Sequence, residues 1–232
     1  MVQKLNRFIN DSVGLEKTLR LIQAVALIAS VFTAGSTAVR LTTGILQLAL
    51  SRRFFRFFSF LGCFESAFSV LINGGLNSTA GQLEMAKWTA FGFYLVLEGT
   101  TILHAMGVWN VPWEEQMMRE ANSCWFYALC FSLIGSLHAL YTASQETPAE
   151  PKEKNENSGK GGKSDKKTKE KKEQASAPKV NTSALWKAVL EDSCDILLPL
   201  NLLNWMPMDD LVIGVTMVIS SISSILGVWA RV

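Results

Sequence analysis

Apolar and polar positions alternate along the chain in blocks that predict a succession of helices interrupted by one charged tract. Asp11 or Ser12 can cap a first helix, with Glu16 in its opening turns beside Lys17 and Arg20. Leu21 to Val39 then carries no formal charge. That length can cross a bilayer, but its many small residues favour a helix buried against others. The pattern continues through Arg40 and Gly44 to about Ile72, where Asn73-Gly74-Gly75 stops it. Gln82 to Trp109 is the next expected helix, and Trp88 to Val108 within it is apolar apart from Glu98 and His104. An ionised carboxylate facing lipid costs on the order of 2.5–3.5 kcal/mol, so Glu98 must be protonated, paired, or turned towards protein or water. Asn110-Val111-Pro112-Trp113 ends this helix, and Glu114-Glu115 opens another with acidic residues suited to a helix N-terminus. Ala121 to Tyr141 competes with Trp88 to Val108 for the role of a membrane span.

The character then changes. Residues 145–183 form a Lys/Glu/Gly/Ser tract with too little apolar surface to offset the entropy of ordering, and a disordered linker is expected. Beyond it, a short helix from Ala184 should run towards Asp195 and break at Pro199. Asp209-Asp210 can then cap Leu211 to Ala230, a run without a charge that reaches roughly 30 Å, the thickness of a bilayer core. Trp205 and Trp229 flank it where interfacial aromatics belong, and Gly214, Ser220, Ser221, Ser223, Ser224 and Gly227 leave a surface that another helix can approach closely. The fold class expected is all-α: an integral membrane helical protein with a membrane-associated region over 1–144, the linker, and a C-terminal unit over 184–232. An amphipathic helix is expected at about 41–72, and a transmembrane helix at about 211–230.

The stretch Ser51 to Leu61 stands apart from the rest. It holds three arginines and five phenylalanines and no helix breaker. On a helix, Arg52, Arg53, Arg56 and Ser59 share one side, while Leu50, Phe54, Phe57, Phe58 and Leu61 share the other, with Phe55 and Phe60 on the flanks. Such a helix can lie in a membrane interface, its rings in the acyl boundary and its guanidinium groups among anionic lipid phosphates. It can equally be a helix packed on its neighbours with an exposed basic face.

Composition sharpens this in one respect. A hydrophobic fraction of 49% and a mean hydropathy of +0.21 are high for a chain carrying a long charged tract, which points to membrane association. The net charge of +2 says little, because the basic residues gather in the Arg/Phe stretch and the linker. Cys63, Cys124, Cys130 and Cys194 are scattered without metal-ligand spacing and are expected to be free thiols. No secretory signal is expected at Met1 to Arg7.

Chemistry is harder to find. There is no phosphate loop, dinucleotide fingerprint, zinc-finger spacing or nucleophile elbow, so no catalytic residue, cofactor or metal is assigned. His104 and His138 stand alone in apolar runs as expected buried, satisfied histidines. Asp192 and Asp195 lie one turn apart, and capping or solvation accounts for them. The rings of the Arg/Phe stretch share one helical face rather than forming stacking platforms, which argues against nucleic acid.

Four segments, in order, resemble one family. Cys194-Asp195-Ile196-Leu197-Leu198-Pro199-Leu200-Asn201, followed by Trp205 and by the serine pairs Ser220-Ser221 and Ser223-Ser224, is similar to the C-terminal signature of the peroxin-11 family of peroxisomal membrane proliferation proteins. Leu50 to Arg56 with Phe64-Glu65-Ser66-Ala67 resembles its basic amphipathic helix. Phe93 to Glu98 resembles its aromatic run ending in an acidic residue. The pattern is similar to divergent, fungal C-type members. The resemblance implies an integral peroxisomal membrane protein that elongates the organelle membrane before fission. It further implies self-association into homo-oligomers and cooperation with a tail-anchored fission adaptor and a dynamin-related GTPase, while the lack of catalytic motifs points away from an enzyme. A channel for small metabolites, lined by Glu98, His104 and His138, is the alternative reading.

Overall fold

The computed structural model describes residues 2–145 and 182–231. The longer regular elements among them are all α-helices: α1 (Val2–Asn10), α2 (Ser12–Val31), α3 (Gly35–Arg56), α4 (Ser59–Ile72), α5 (Thr79–Thr100), α6 (Ile102–Ala105), α7 (Glu114–Gln145), α8 (Thr182–Asp195), α9 (Leu197–Leu202) and α10 (Asp210–Arg231). A single 3-10 turn, Gly75–Asn77, links α4 to α5. The all-α expectation is what the described residues show. The bulk of the expected linker, 146–181, lies outside them; its flanking residues Gln145, Thr182 and Ser183 are helical.

Local chemistry sets the helix ends. Asp11 accepts the Val13 N–H at 3.2 Å and caps α2, and Ser78 accepts the Gly81 N–H at 3.1 Å and caps α5. Gly74 takes φ 72°, the left-handed conformation that lets the chain leave α4 sharply. Four expected helices end elsewhere than the pattern implied. Leu21 to Val39 is broken after Val31, so it is not a span. The run Trp88 to Val108 is broken at Thr101, whose hydroxyl donates to the Glu98 carbonyl at 2.9 Å, so it is not a continuous span either. The amphipathic helix expected at 41–72 is two helices, α3 and α4, bent by 47° at Phe57–Phe58. Near the C-terminus the break falls before Pro199: its ring clashes with a helical carbonyl four residues earlier, and α8 ends at that residue, Asp195. Pro199 then sits in the first turn of α9, where no N–H is needed.

The helices form two linked layers. α5 pairs with α7 and carries α4, while α2 packs between α3 and α10; α8 joins the halves by touching both α7 and α10. One core gathers Cys63, Tyr94, Leu95 and Ala121, and the other Ala24, Ile213 and Met217. The small residues of α10 lie on its protein side. A Cβ at Gly214 would meet the Ile28 side chain at 2.6 Å, and Ser220 and Ser221 are fully buried. In lipid, apolar surface alone does not hold helices together, so close approach through small residues supplies the packing.

α7 and α10 are long and apolar enough to cross a membrane, and α3 with α4 would count as a third if the bent pair is one span. On α10, Val212, Val215, Ile219, Ile222 and Leu226 recur at three- and four-residue steps and are all exposed. That is the stripe a span presents to acyl chains.

Candidate functional site

The last two turns of α3 place Arg52, Arg53 and Arg56 inside the bundle. Arg52 is buried; its Nε donates to Glu16 Oε1 and its Nη1 to Gln23 Oε1, each at 2.8 Å. Arg56 Nη2 donates to both oxygens of Glu98, at 3.0 and 3.2 Å, and its guanidinium lies over the Tyr94 ring. Arg53 is served worst: Nε reaches Glu98 Oε1 at 3.4 Å, and Nη2 meets the Met118 sulfur at 2.7 Å and Thr101 Oγ1 at 3.4 Å. Glu98 also accepts from the Tyr94 hydroxyl at 3.0 Å. The need for a partner at Glu98, read from its place in an apolar run, is thus met by two arginines and a tyrosine.

This corrects the role expected for the three arginines as headgroup ligands at the surface. The side of the helix they share is the one that faces α2 and α5, because those helices carry the carboxylates. The opposite side is the exposed one. Phe54, Phe55, Phe58 and Leu61 project outward at the bend, Phe58 with 70% of its surface accessible, and Phe68 and Ile72 continue the ridge along α4. Phe57 is half-buried and meets Phe58 edge-on at 5.0 Å. Basic residues in, rings out: the helix is oriented the opposite way from one lying on a water-filled surface.

The partners of these arginines were missed in the sequence, although a signal existed. Glu16, Arg20 and Gln23 recur at steps of four and three along α2, and so do Tyr94 and Glu98 of α5 with Thr101 just past its end. Each set is a polar stripe beside a long apolar run, which in lipid must turn inward. Arg20, 3% exposed, makes a bidentate pair with Asp195 of α8. Burial alone would raise the Glu16 carboxyl, but Lys17, Arg52 and Arg56 outweigh it and hold it at about 2.

A family model described as Peroxisomal biogenesis factor 11 (PEX11) matches residues 2–229, nearly the whole chain. The chain belongs to the PEX11 family. No curated protein and no solved structure matches it significantly. As a PEX11 member it is a peroxisome biogenesis factor associated with the peroxisomal membrane, and the family's field is peroxisome proliferation.

The C-terminal residues on which the resemblance rested build the turn between α8 and α10 of this PEX11 chain. Asp195 anchors α8 to α2 through Arg20, and burial, which would raise its carboxyl, is overcome by that guanidinium. Pro199 is fully buried at the start of α9. The Leu200 carbonyl accepts the N–H groups of Trp205 and Met206 at 3.0 and 3.2 Å, closing the turn in which Asn204 adopts φ 56°. Trp205 packs edge-on against Phe126 of α7 at 5.3 Å. Cys194 is a half-buried free thiol with no role in the turn. Capping does not account for Asp195, nor solvation for Asp192.

Asp192 is half-buried, and one of its oxygens has no hydrogen-bond partner among the described residues. Burial, with Asp195 adding to it, pushes its carboxyl up to about 6 despite an opposing hydrogen bond from Ser132. A folded-state value above the unfolded one means that ionising Asp192 costs stability as pH rises through about 6. Asp192→Asn is therefore expected to raise the melting temperature at pH 7–8 and to change it little at pH 4, a difference that thermal unfolding in detergent at the two pH values reads directly.

The histidines part company. His104 Nδ1 accepts the Val111 N–H at 3.2 Å, whereas His138 is exposed on α7, contrary to its expected burial. His138 stands twenty residues beyond Met118, the α7 residue that touches Thr101 one turn from Glu98, or roughly 30 Å along the helix. Glu98, His104 and His138 therefore do not line one path.

Proposed function

We propose that this protein elongates the peroxisomal membrane ahead of organelle fission by wedging the phenylalanine ridge at the α3–α4 bend into one leaflet, while α7 and α10 anchor it as integral spans. The observation that carries the reading is the ridge itself: Phe54, Phe55, Phe58 and Leu61 are large, adjacent and exposed at a bend whose inner side is bolted to the bundle. Rings inserted at the acyl boundary expand that leaflet and favour positive curvature. The arginines act from within. Arg52 ties α3 to α2, and Arg53 and Arg56 tie it to α5, so bending force on the ridge is borne by the whole bundle. The role is mechanical rather than enzymatic. Homo-oligomers, an anionic lipid bilayer, a tail-anchored fission adaptor and a dynamin-related GTPase are the partners this reading calls for, and their support is family membership.

The test is tubulation of liposomes containing anionic lipid by the full-length protein carrying Phe54→Ser, Phe58→Ser and Leu61→Ser together. All three side chains are exposed, so each substitution should change stability by no more than about 0.5 kcal/mol. Membrane insertion and melting temperature should persist while tubulation is lost. Tubulation at the unmodified level would overturn the wedge.

A further inference from the structure

We infer that the cavity beside the arginine cluster is a binding site for a phosphate group. The cavity, about 330 Å³, lies where α2, α3, α5, α7, α9 and α10 meet. Arg52, Arg53 and Arg56 line it, together with the carboxylates of Glu98 and Asp210. Its remaining wall is largely apolar, through residues such as Leu27, Trp125 and Met217.

Acceptors are scarce there. Among the described residues, the three arginines that line the cavity form ion pairs with Glu16 and Glu98, while Asp210 is exposed at the rim. One carboxylate, Glu98, serves two guanidinium groups. Arg53 has as its nearest acceptor a thioether sulfur, a weak one. Arg56 Nε is buried without an acceptor among the described residues. Buried cations short of acceptors favour an anion, and guanidinium forks fit phosphate oxygens in bidentate fashion.

Position points to the same ligand. Met118 and Asn122 in the second and third turns of α7 and Asp210 and Ile213 at the start of α10 line the cavity, so it lies at the end of the bundle where both membrane-length helices begin. The end of a span is the level of lipid headgroups. The phosphate is that of an anionic lipid headgroup with its glycerol against the apolar wall, or of a soluble phosphate; the recognising chemistry is shared.

Native mass spectrometry of the full-length protein in detergent separates the outcomes, with dioleoyl phosphatidic acid, sodium oleate and inorganic phosphate as probes. One phosphatidic acid per chain should be retained, and Arg53→Gln should weaken it roughly tenfold, the loss of one charge-assisted pair. Arg119→Gln, an exposed arginine on the same helix end, should leave it unchanged. Arg53→Gln also removes a contact to Glu98, so its melting temperature is read alongside, and Arg53→Lys, which keeps the charge and loses the fork, carries the same comparison if the glutamine variant melts lower. Phosphatidic acid binding with no protection by inorganic phosphate assigns the site to lipid, and competition by inorganic phosphate assigns it to a soluble phosphate. Oleate retained as tightly as phosphatidic acid, or equal weakening by the Arg53 and Arg119 variants, overturns the inference. The ridge lies on the other side of α3, so that result leaves the tubulation test standing.

Discussion

Glu98→Ala is expected to destabilise the folded bundle by roughly 3 kcal/mol, because it strands two partly buried guanidinium groups at once. Arg53 and Arg56 lose their shared carboxylate, and the Tyr94 hydroxyl loses its acceptor. The consequence reaches beyond stability: the α3–α4 bend would no longer be held to α5, and tubulation should fall with the melting temperature. A compensating variant makes the cause testable. Replacing the whole cluster by apolar residues, Glu98→Leu with Arg53→Met and Arg56→Met, should recover most of the lost stability, since desolvation offsets the attraction within buried ion clusters. Thermal unfolding in detergent reads both. A single Glu98→Ala chain as stable as the parent would mean that water or lipid satisfies the arginines.

Asp195→Ala should have a comparable effect, about 3–5 kcal/mol, at a different joint. Arg20 is 3% exposed, and Asp195 is its bidentate partner across the α2–α8 contact. Its loss should release α8 and α9 from α2, visible as new protease cleavage within 182–202 together with a lowered melting temperature. The exchange Arg20→Asp with Asp195→Arg should restore part of both. Acid should act on the same joints. Asp195 and Glu16 both titrate below their ordinary range in the folded protein, Glu16 at about 2, so their contribution is present above the usual carboxylate range near 4.5 and is lost as pH falls towards 2. A melting temperature that held steady from pH 5 to pH 2 would contradict these pairs.

Much of the organisation was legible along the chain. The helical blocks, the charged tract, the C-terminal run at Leu211 to Ala230 and the small-residue side of α10 all follow from local composition and period. Residues such as Gly74, Asp11 and Pro199 act on their own neighbours, and their effects are local. Helix ends were less legible. The breaks at Val31, Phe57 and Thr101 carry no proline, so no residue type marks them along the chain.

Which residues share a helical side is a matter of spacing, and the sequence by itself determined that Arg52, Arg53 and Arg56 stand opposite Phe54, Phe58 and Leu61. Only the tertiary structure decided which of those sides faces the protein. In water the apolar side of an amphipathic helix must turn inward. Lipid removes that rule, because acyl chains solvate phenylalanine as well as a protein core does, while a guanidinium group needs a carboxylate. Glu16 and Glu98 lie 36 and 42 residues from the arginines they hold. No local pattern in Arg52 to Leu61 records where those two carboxylates come to rest.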